Sequence, residues 1–214
     1  MALSPQQIQK KRAKKAASRR SAKTQAHHVP AASINTRGNW LRAIGSPIYE
    51  VCSNENLFLG GMGTLVFCRR TPDQHCAVAM FLLDTYCLGI KNVVQSVMTN
   101  EQYSDLKSQL ERSHGSRFRL MAPSAGRRLL EDLVAWSRQF GFEPSLDYAD
   151  AAKILGDTPL DTDELSFPFG REGKPFYISG PKDSPVKSKR ILDQLEKKCG
   201  LGGFDYMIGS LEGF

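Results

Sequence analysis

Thr64-Leu65-Val66-Phe67-Cys68-Arg69 and Cys76-Ala77-Val78-Ala79-Met80-Phe81-Leu82-Leu83 are two apolar runs joined through Thr71-Pro72-Asp73-Gln74. Apolar runs of this length flanking a Pro-Asp turn signal predict a β-hairpin. The second run is apolar at odd and even positions alike, which predicts a central strand covered on both faces. A two-residue turn at Pro72-Asp73 sets Cys76 opposite Arg69 and Cys68 opposite Ala77. The two thiols then lie on opposite faces, and no tetrahedral metal site arises.

Working outward from the hairpin, Ile48 to Cys52 is a further strand, and Gly60, Gly61 and Gly63 break the chain before Thr64. Thr99 and Gln102 have capping-box spacing ahead of a helix with Tyr103, Leu106 and Leu110 on one face. Pro123-Ser124 opens a second helix, whose buried face carries Leu129, Leu130, Leu133, Val134, Trp136 and Phe140. Gly141-Phe142 closes that helix as a Schellman stop. A short helix is expected from Tyr148 to Leu155. Leu165–Phe169 and Pro175–Ser179 look like a second hairpin, placed at a sheet edge by Pro168 and Pro175. Ser184-Pro185 caps a last helix facing in through Ile191, Leu192 and Leu195, and Phe204 to Ile208 forms a closing strand. The expected fold is α+β, a mainly antiparallel sheet with helices packed on it. It occupies one domain over residues 40–214, behind a basic tail and linker over residues 1–39.

Charge is unevenly placed along the 214 residues, whose formal net charge is +7. Lys10, Lys11, Arg12, Lys14, Lys15, Arg19, Arg20 and Lys23 fall in a stretch, Met1 to Ala26, that contains no acid. Of the chain's 29 Lys and Arg, these eight leave 21 to face all 22 Asp and Glu, so the remainder is almost neutral. The tail has good helix formers, but Leu3 and Ile8 are its only large apolar residues. It has no stripe to dock on a core or a lipid surface and is expected to be disordered alone. An acid-free polycation gains affinity for a phosphate backbone by releasing condensed counterions.

Five cysteines without a C-x-x-C pair read as free thiols in a reducing compartment. No apolar stretch reaches the roughly 18 residues of a membrane span, and no apolar segment follows the basic one as in a secretory signal. A cytoplasmic protein without membrane contact is expected.

Phe81-Leu82-Leu83-Asp84-Thr85-Tyr86-Cys87-Leu88-Gly89-Ile90-Lys91, preceded by Gly61-Met62-Gly63, resembles a block of an uncharacterised family of bacterial proteins. Gly173-Lys174-Pro175-Phe176-Tyr177-Ile178-Ser179-Gly180-Pro181, followed by Asp183-Ser184-Pro185, resembles that family's C-terminal block, and its members also tend to begin with a Lys/Arg-rich tail. The resemblance spans roughly Ile48 to Ile208. It implies a bacterial cytoplasmic protein of shared fold, and it supplies no mechanism, cofactor or catalytic residue.

Three sets of residues are candidate sites. The eight tail cations form a nucleic-acid-binding arm, with RNA or the ribosome as the expected partner. Asp84, Cys87 and Lys91 are the residues to test for catalysis, as a thiol nucleophile or as part of a hydrolase or nuclease site. A nucleophile needs a base, and neither His75 nor His114 has a spacing that supplies one; a metal nuclease needs more carboxylates. The alternative is structural: Cys87 as a small buried residue, Asp84 as a strand-end cap, Lys91 as a solvated charge. Ser184, at a helix N-terminus near Lys174 and Lys182, is an anion-binding candidate, opposed by Asp183 and equally readable as an ordinary cap. Gly60-Gly61-Met62-Gly63 lacks the Gly-Lys-Ser/Thr ending of a phosphate loop and reads as a bend. No metal or cofactor is called for.

Overall fold

Five strands, β1 (Ile48–Asn54), β2 (Met62–Arg70), β3 (His75–Asp84), β4 (Gly89–Thr99) and β5 (Phe118–Leu120), form one antiparallel sheet in the order β4-β3-β2-β1-β5. The computed structural model describes residues 37–160 and 166–208. As the two-faced apolar run requires, β3 is an interior strand, paired with β2 and β4. Ala77, Ala79, Phe81 and Leu83 point to one side, and Cys76, Val78 and Met80 to the other, all buried.

Each face has its own cover. The odd-numbered side meets α1 (Arg37–Ala43), α4 (Pro123–Gln139), α5 (Tyr148–Ala151) and the 3-10 turn Ala152–Leu155. Trp40, Leu129, Leu130, Leu133 and Ile154 fill that core. α3 (Asn100–His114) covers the other side with Tyr103 and Leu110 over Cys52, Val66, Cys68 and Val78. A four-residue helix, α2 (Leu57–Gly60), sits between β1 and β2.

The helix ends follow the local signals. Thr99 Oγ1 accepts from Gln102 N at 3.2 Å, while Gln102 Oε1 accepts from Thr99 N at 2.9 Å, a reciprocal capping box on α3. Behind α4, Gly141 takes φ 82°, and the N–H groups of Gly141 and Phe142 return to Arg138 O and Ser137 O, completing the Schellman stop. Ser184 Oγ accepts from Lys187 N at the start of α6 (Pro185–Cys199).

Two expectations fail. The β2–β3 connection is a three-residue loop, Pro72-Asp73-Gln74, closed by Thr71 N–H to His75 O at 2.9 Å. Gln74 adopts φ 63° in the place a glycine would normally fill, which adds a residue to the loop. The register therefore slips by one: Arg70 faces Cys76 and Cys68 faces Val78. Cys68 and Cys76 accordingly share a face rather than lying on opposite ones.

The second hairpin is also absent. Leu165 lies outside the described residues and 166–169 form no strand. Instead, β6 (Phe176–Ile178) pairs in parallel with β7 (Asp205–Met207). Phe167 and Phe169 pack where the ladder was expected to form, with ring centroids 5.8 Å from Phe58 and 5.8 Å from Trp136, respectively. Pro168, having no N–H, offers a ladder little.

Gly126 measures how tightly α4 lies on the sheet. A Cβ there would stand 2.8 Å from Val51 Cγ1 and 3.0 Å from Phe67 Cζ. Gly to Ala in a helix interior ordinarily stabilises by about 1 kcal/mol. Gly126→Ala is expected to reverse that sign and cost about 1–2 kcal/mol through overpacking, read as a lowered urea midpoint at unchanged slope.

Candidate functional site

Asp84 ends β3 and folds the next four residues around its carboxylate. Oδ1 accepts from Cys87 N at 2.8 Å and Tyr86 N at 3.2 Å, and Lys91 Nζ lies 3.8 Å from Oδ2. Burial drives the carboxyl above its ordinary range, opposed by the Lys91 charge and by backbone N–H groups including those of Cys87 and Tyr86. Lys91 is thus largely covered and paired, with a side chain 18% exposed, rather than solvated.

Cys87 is fully buried among Leu88, Tyr177, Ile191 and Leu195. Burial, with the Asp84 charge adding, pushes its thiol up, away from the thiolate a nucleophile needs. His75 begins the strand that Asp84 ends, about 30 Å away at 3.3 Å per residue. His114 is engaged elsewhere, its Nε2 2.9 Å from Thr64 Oγ1. The block brings Asp84 and Lys91 together, but neither histidine is paired with the thiol.

What this block does mechanically is join the sheet to the C-terminal elements. Thr85 N donates to Gly61 O, Gly170 N to Thr85 O, and Phe176 N to Tyr86 O. The Tyr86 ring lies so close over Gly61 that a Cβ would sit 2.2 Å from it, and Tyr86 OH donates to Leu59 O at 2.8 Å. Gly61 itself, at φ 70°, is the C-terminal cap of α2. The glycine cluster is therefore a bend, as expected, and it presents a helix C-terminus rather than anion-attracting N–H groups.

At the start of α6, Ser184 is a working cap, and Asp183 occupies the approach to it. Asp183 Oδ2 accepts from Tyr177 OH at 3.0 Å and Gly180 N at 2.9 Å, and Oδ1 meets Lys187 Nζ at 2.7 Å. Burial alone would raise the Asp183 carboxyl; Lys187 and these donors outweigh it and hold the group below its ordinary value. Lys174 Nζ turns to Gly202 O at 3.3 Å, and Lys182 is exposed. Lys10, Lys11, Arg12, Lys14, Lys15, Arg19, Arg20 and Lys23 lie outside the described residues.

A cavity that no sequence motif flagged is formed by the end of α1, Gly45-Ser46, the β2–β3 loop and Val97 of β4. Its volume is about 610 Å³. Arg69 fixes one wall from below: its buried guanidinium donates to Ser46 O at 2.6 Å, Ile154 O at 2.6 Å and Leu155 O at 2.9 Å. In the loop, Thr71 OH donates to Asp73 Oδ1, and His75 Nδ1 sits 3.0 Å from Asp73 Oδ2 in a bent contact that satisfies the ion-pair distance but not hydrogen-bond alignment. The Thr71 hydroxyl, helped by His75, holds the Asp73 carboxyl below its ordinary value. The one sequence signal for the couple was Asp73-x-His75 across a turn. Its meaning depended on the loop's length, which the missing glycine concealed.

Among the described residues no group of three His, Cys, Asp or Glu is placed to hold a metal ion. No described helix is long and apolar enough to cross a membrane.

Asp84→Ala is expected to cost about 2–4 kcal/mol in denaturant unfolding, because it leaves buried N–H groups without an acceptor. Asp84→Asn, which keeps that acceptor, is expected to lose less than half as much. The folded carboxyl titrates above its unfolded counterpart, so Asp84's contribution is complete below the ordinary Asp value and is lost as pH rises through the folded value. Stability measured against pH falls over that window in the parent and is flatter in Asp84→Asn.

Compared with protein-family models, curated proteins and solved structures, the chain matches none.

Proposed function

We propose that the protein is a non-enzymatic nucleic-acid-associated protein, bacterial and cytoplasmic, with RNA or the ribosome as its partner. One observation carries this reading: eight cations and no acid within Met1 to Ala26, against a remainder of 21 cations and 22 acids. Binding by such an arm is polyelectrolyte in kind, driven by counterion release and blind to base sequence. The near-neutral body is where selectivity would be added.

The body's own charges support the division of labour. Arg119 pairs with Glu55, Arg127 with Glu131, Arg128 with Asp132, Arg138 with Glu143 and Lys189 with Asp193, each within 3.0 Å. Local pairs of this sort cancel the far field, which leaves the arm as the main source of attraction for a polyanion. A hydrolase or nuclease at Asp84, Cys87 and Lys91 is the less favoured reading, since Asp84 is occupied by backbone donors and Cys87 is sealed in apolar surroundings.

The salt dependence of binding to single-stranded RNA tests the proposal. If five or six phosphates are neutralised, log K falls with log salt at a slope of about −4. Replacing all eight tail cations by Gln in the full-length chain is expected to remove most of that slope and most of the affinity. Unchanged binding in that variant would refute the tail as anchor.

A further inference from the structure

The cavity beside α1 combines three features. First, Arg42 and His75 both line it. Arg42 lines the cavity and makes no ion pair or hydrogen bond with the described residues. His75 turns Nδ1 toward Asp73, so its other ring nitrogen, Nε2, accepts in the neutral ring and donates to an anion only in the imidazolium. Second, the acid is already occupied: the Asp73 carboxylate meets the Thr71 hydroxyl on one oxygen and the His75 ring on the other, so it repels an incoming anion less than a bare carboxylate would. Third, Ala43, Pro72 and Val97 give the cavity an apolar wall.

A guanidinium and an imidazolium beside an apolar wall, in a volume within the roughly 300–1,000 Å³ typical of small-molecule pockets, describe a ligand with a compact anionic head and a flat, weakly polar body. A free inorganic ion would leave the apolar wall wet. A phosphate carried on a nucleoside uses both parts: the guanidinium and the imidazolium on phosphate oxygens, and a base face against Pro72. In sequence the last tail cation, Lys23, precedes Arg37, the first residue of α1, by fourteen positions.

We infer that this cavity is a nucleotide-binding subsite, in which Arg42 and His75 hold the phosphate of a single nucleotide unit while Asp73 orients the His75 ring. The inference deepens the nucleic-acid reading by giving the body a role in it. Arg42 and His75 bind ligand directly, and Asp73 is a positioning residue.

Titration calorimetry of the full-length chain with adenosine 5′-monophosphate, adenosine and inorganic phosphate tests this. The monophosphate is expected to bind at least tenfold more tightly than either adenosine or phosphate. Arg42→Ala is expected to weaken it at least tenfold, and because Arg42 is exposed the variant keeps the parent's circular dichroism and unfolding midpoint. His75→Ala should do the same, with partial recovery in His75→Gln, which restores an N–H donor. Asp73→Asn, which keeps an oxygen beside the ring, should weaken binding less than His75→Ala.

The eight-Gln tail variant separates this inference from the one beneath it. Monophosphate affinity within twofold of the parent, alongside lost RNA affinity, supports both. Loss of monophosphate binding in that variant would place the site in the tail and overturn the cavity. So would equal affinity for phosphate and monophosphate, or indifference to both Arg42→Ala and His75→Ala. Retained RNA affinity in the tail variant, with cavity-dependent monophosphate binding intact, would sink the tail reading alone.

Discussion

A strand that is apolar on both faces cannot sit at a protein surface, and β3 sets that constraint for the whole molecule. Its side chains demand cover above and below, so the sheet is sandwiched between α3 on one side and α1, α4 and α5 on the other. β2 shares the requirement, with Leu65, Val66, Phe67 and Cys68 all buried. Burying two faces of a central strand supplies the apolar area from which most folding free energy comes. It also leaves no sheet face for a ligand. The cavity beside α1 lies at one end of β3, where a loop and a helix terminus meet.

The two ends of β3 have opposite fates. At its C-terminal end Asp84 is driven into the interior, and its carboxylate is used to close a turn whose backbone reaches Gly61, Gly170 and Phe176. Polar groups committed in this way give stability and are lost to chemistry. At the N-terminal end the loop stays open to solvent, with Asp73, exposed in its side chain, turned to His75 beside the cavity. A ligand site needs polar groups that converge without being used up by the backbone.

Much of the fold was legible because its signals are local. The capping box at Thr99, the Schellman stop at Gly141 and the cap at Ser184 depend on neighbours within six residues, and each formed as expected. What was hidden depends on non-local competition. Gln74 in a left-handed conformation changed the loop length by one residue and so moved Cys68 and Cys76 onto a shared face. There, hydrogen bonding from Cys68 and the charge of Arg70 hold the Cys76 thiol below its ordinary value, and Cys76 Sγ lies 3.1 Å from Asn100 Oδ1. Phe167 and Phe169 left a predicted strand because aromatic partners on α2 and α4 offered more burial than an edge ladder. The cavity was invisible for a related reason: Arg42, Asp73 and His75 are brought together only by α1 packing beside the β2–β3 loop.

Ultraviolet crosslinking of the full-length chain to single-stranded RNA, with the attached peptides mapped by mass spectrometry, tests the central claim most directly. The account predicts crosslinks on peptides bearing the cations of Lys10 to Lys23 and on those bearing Arg42 and His75. Crosslinks concentrated on α6 and β7, or none above the level of an unrelated neutral protein at low salt, would contradict it.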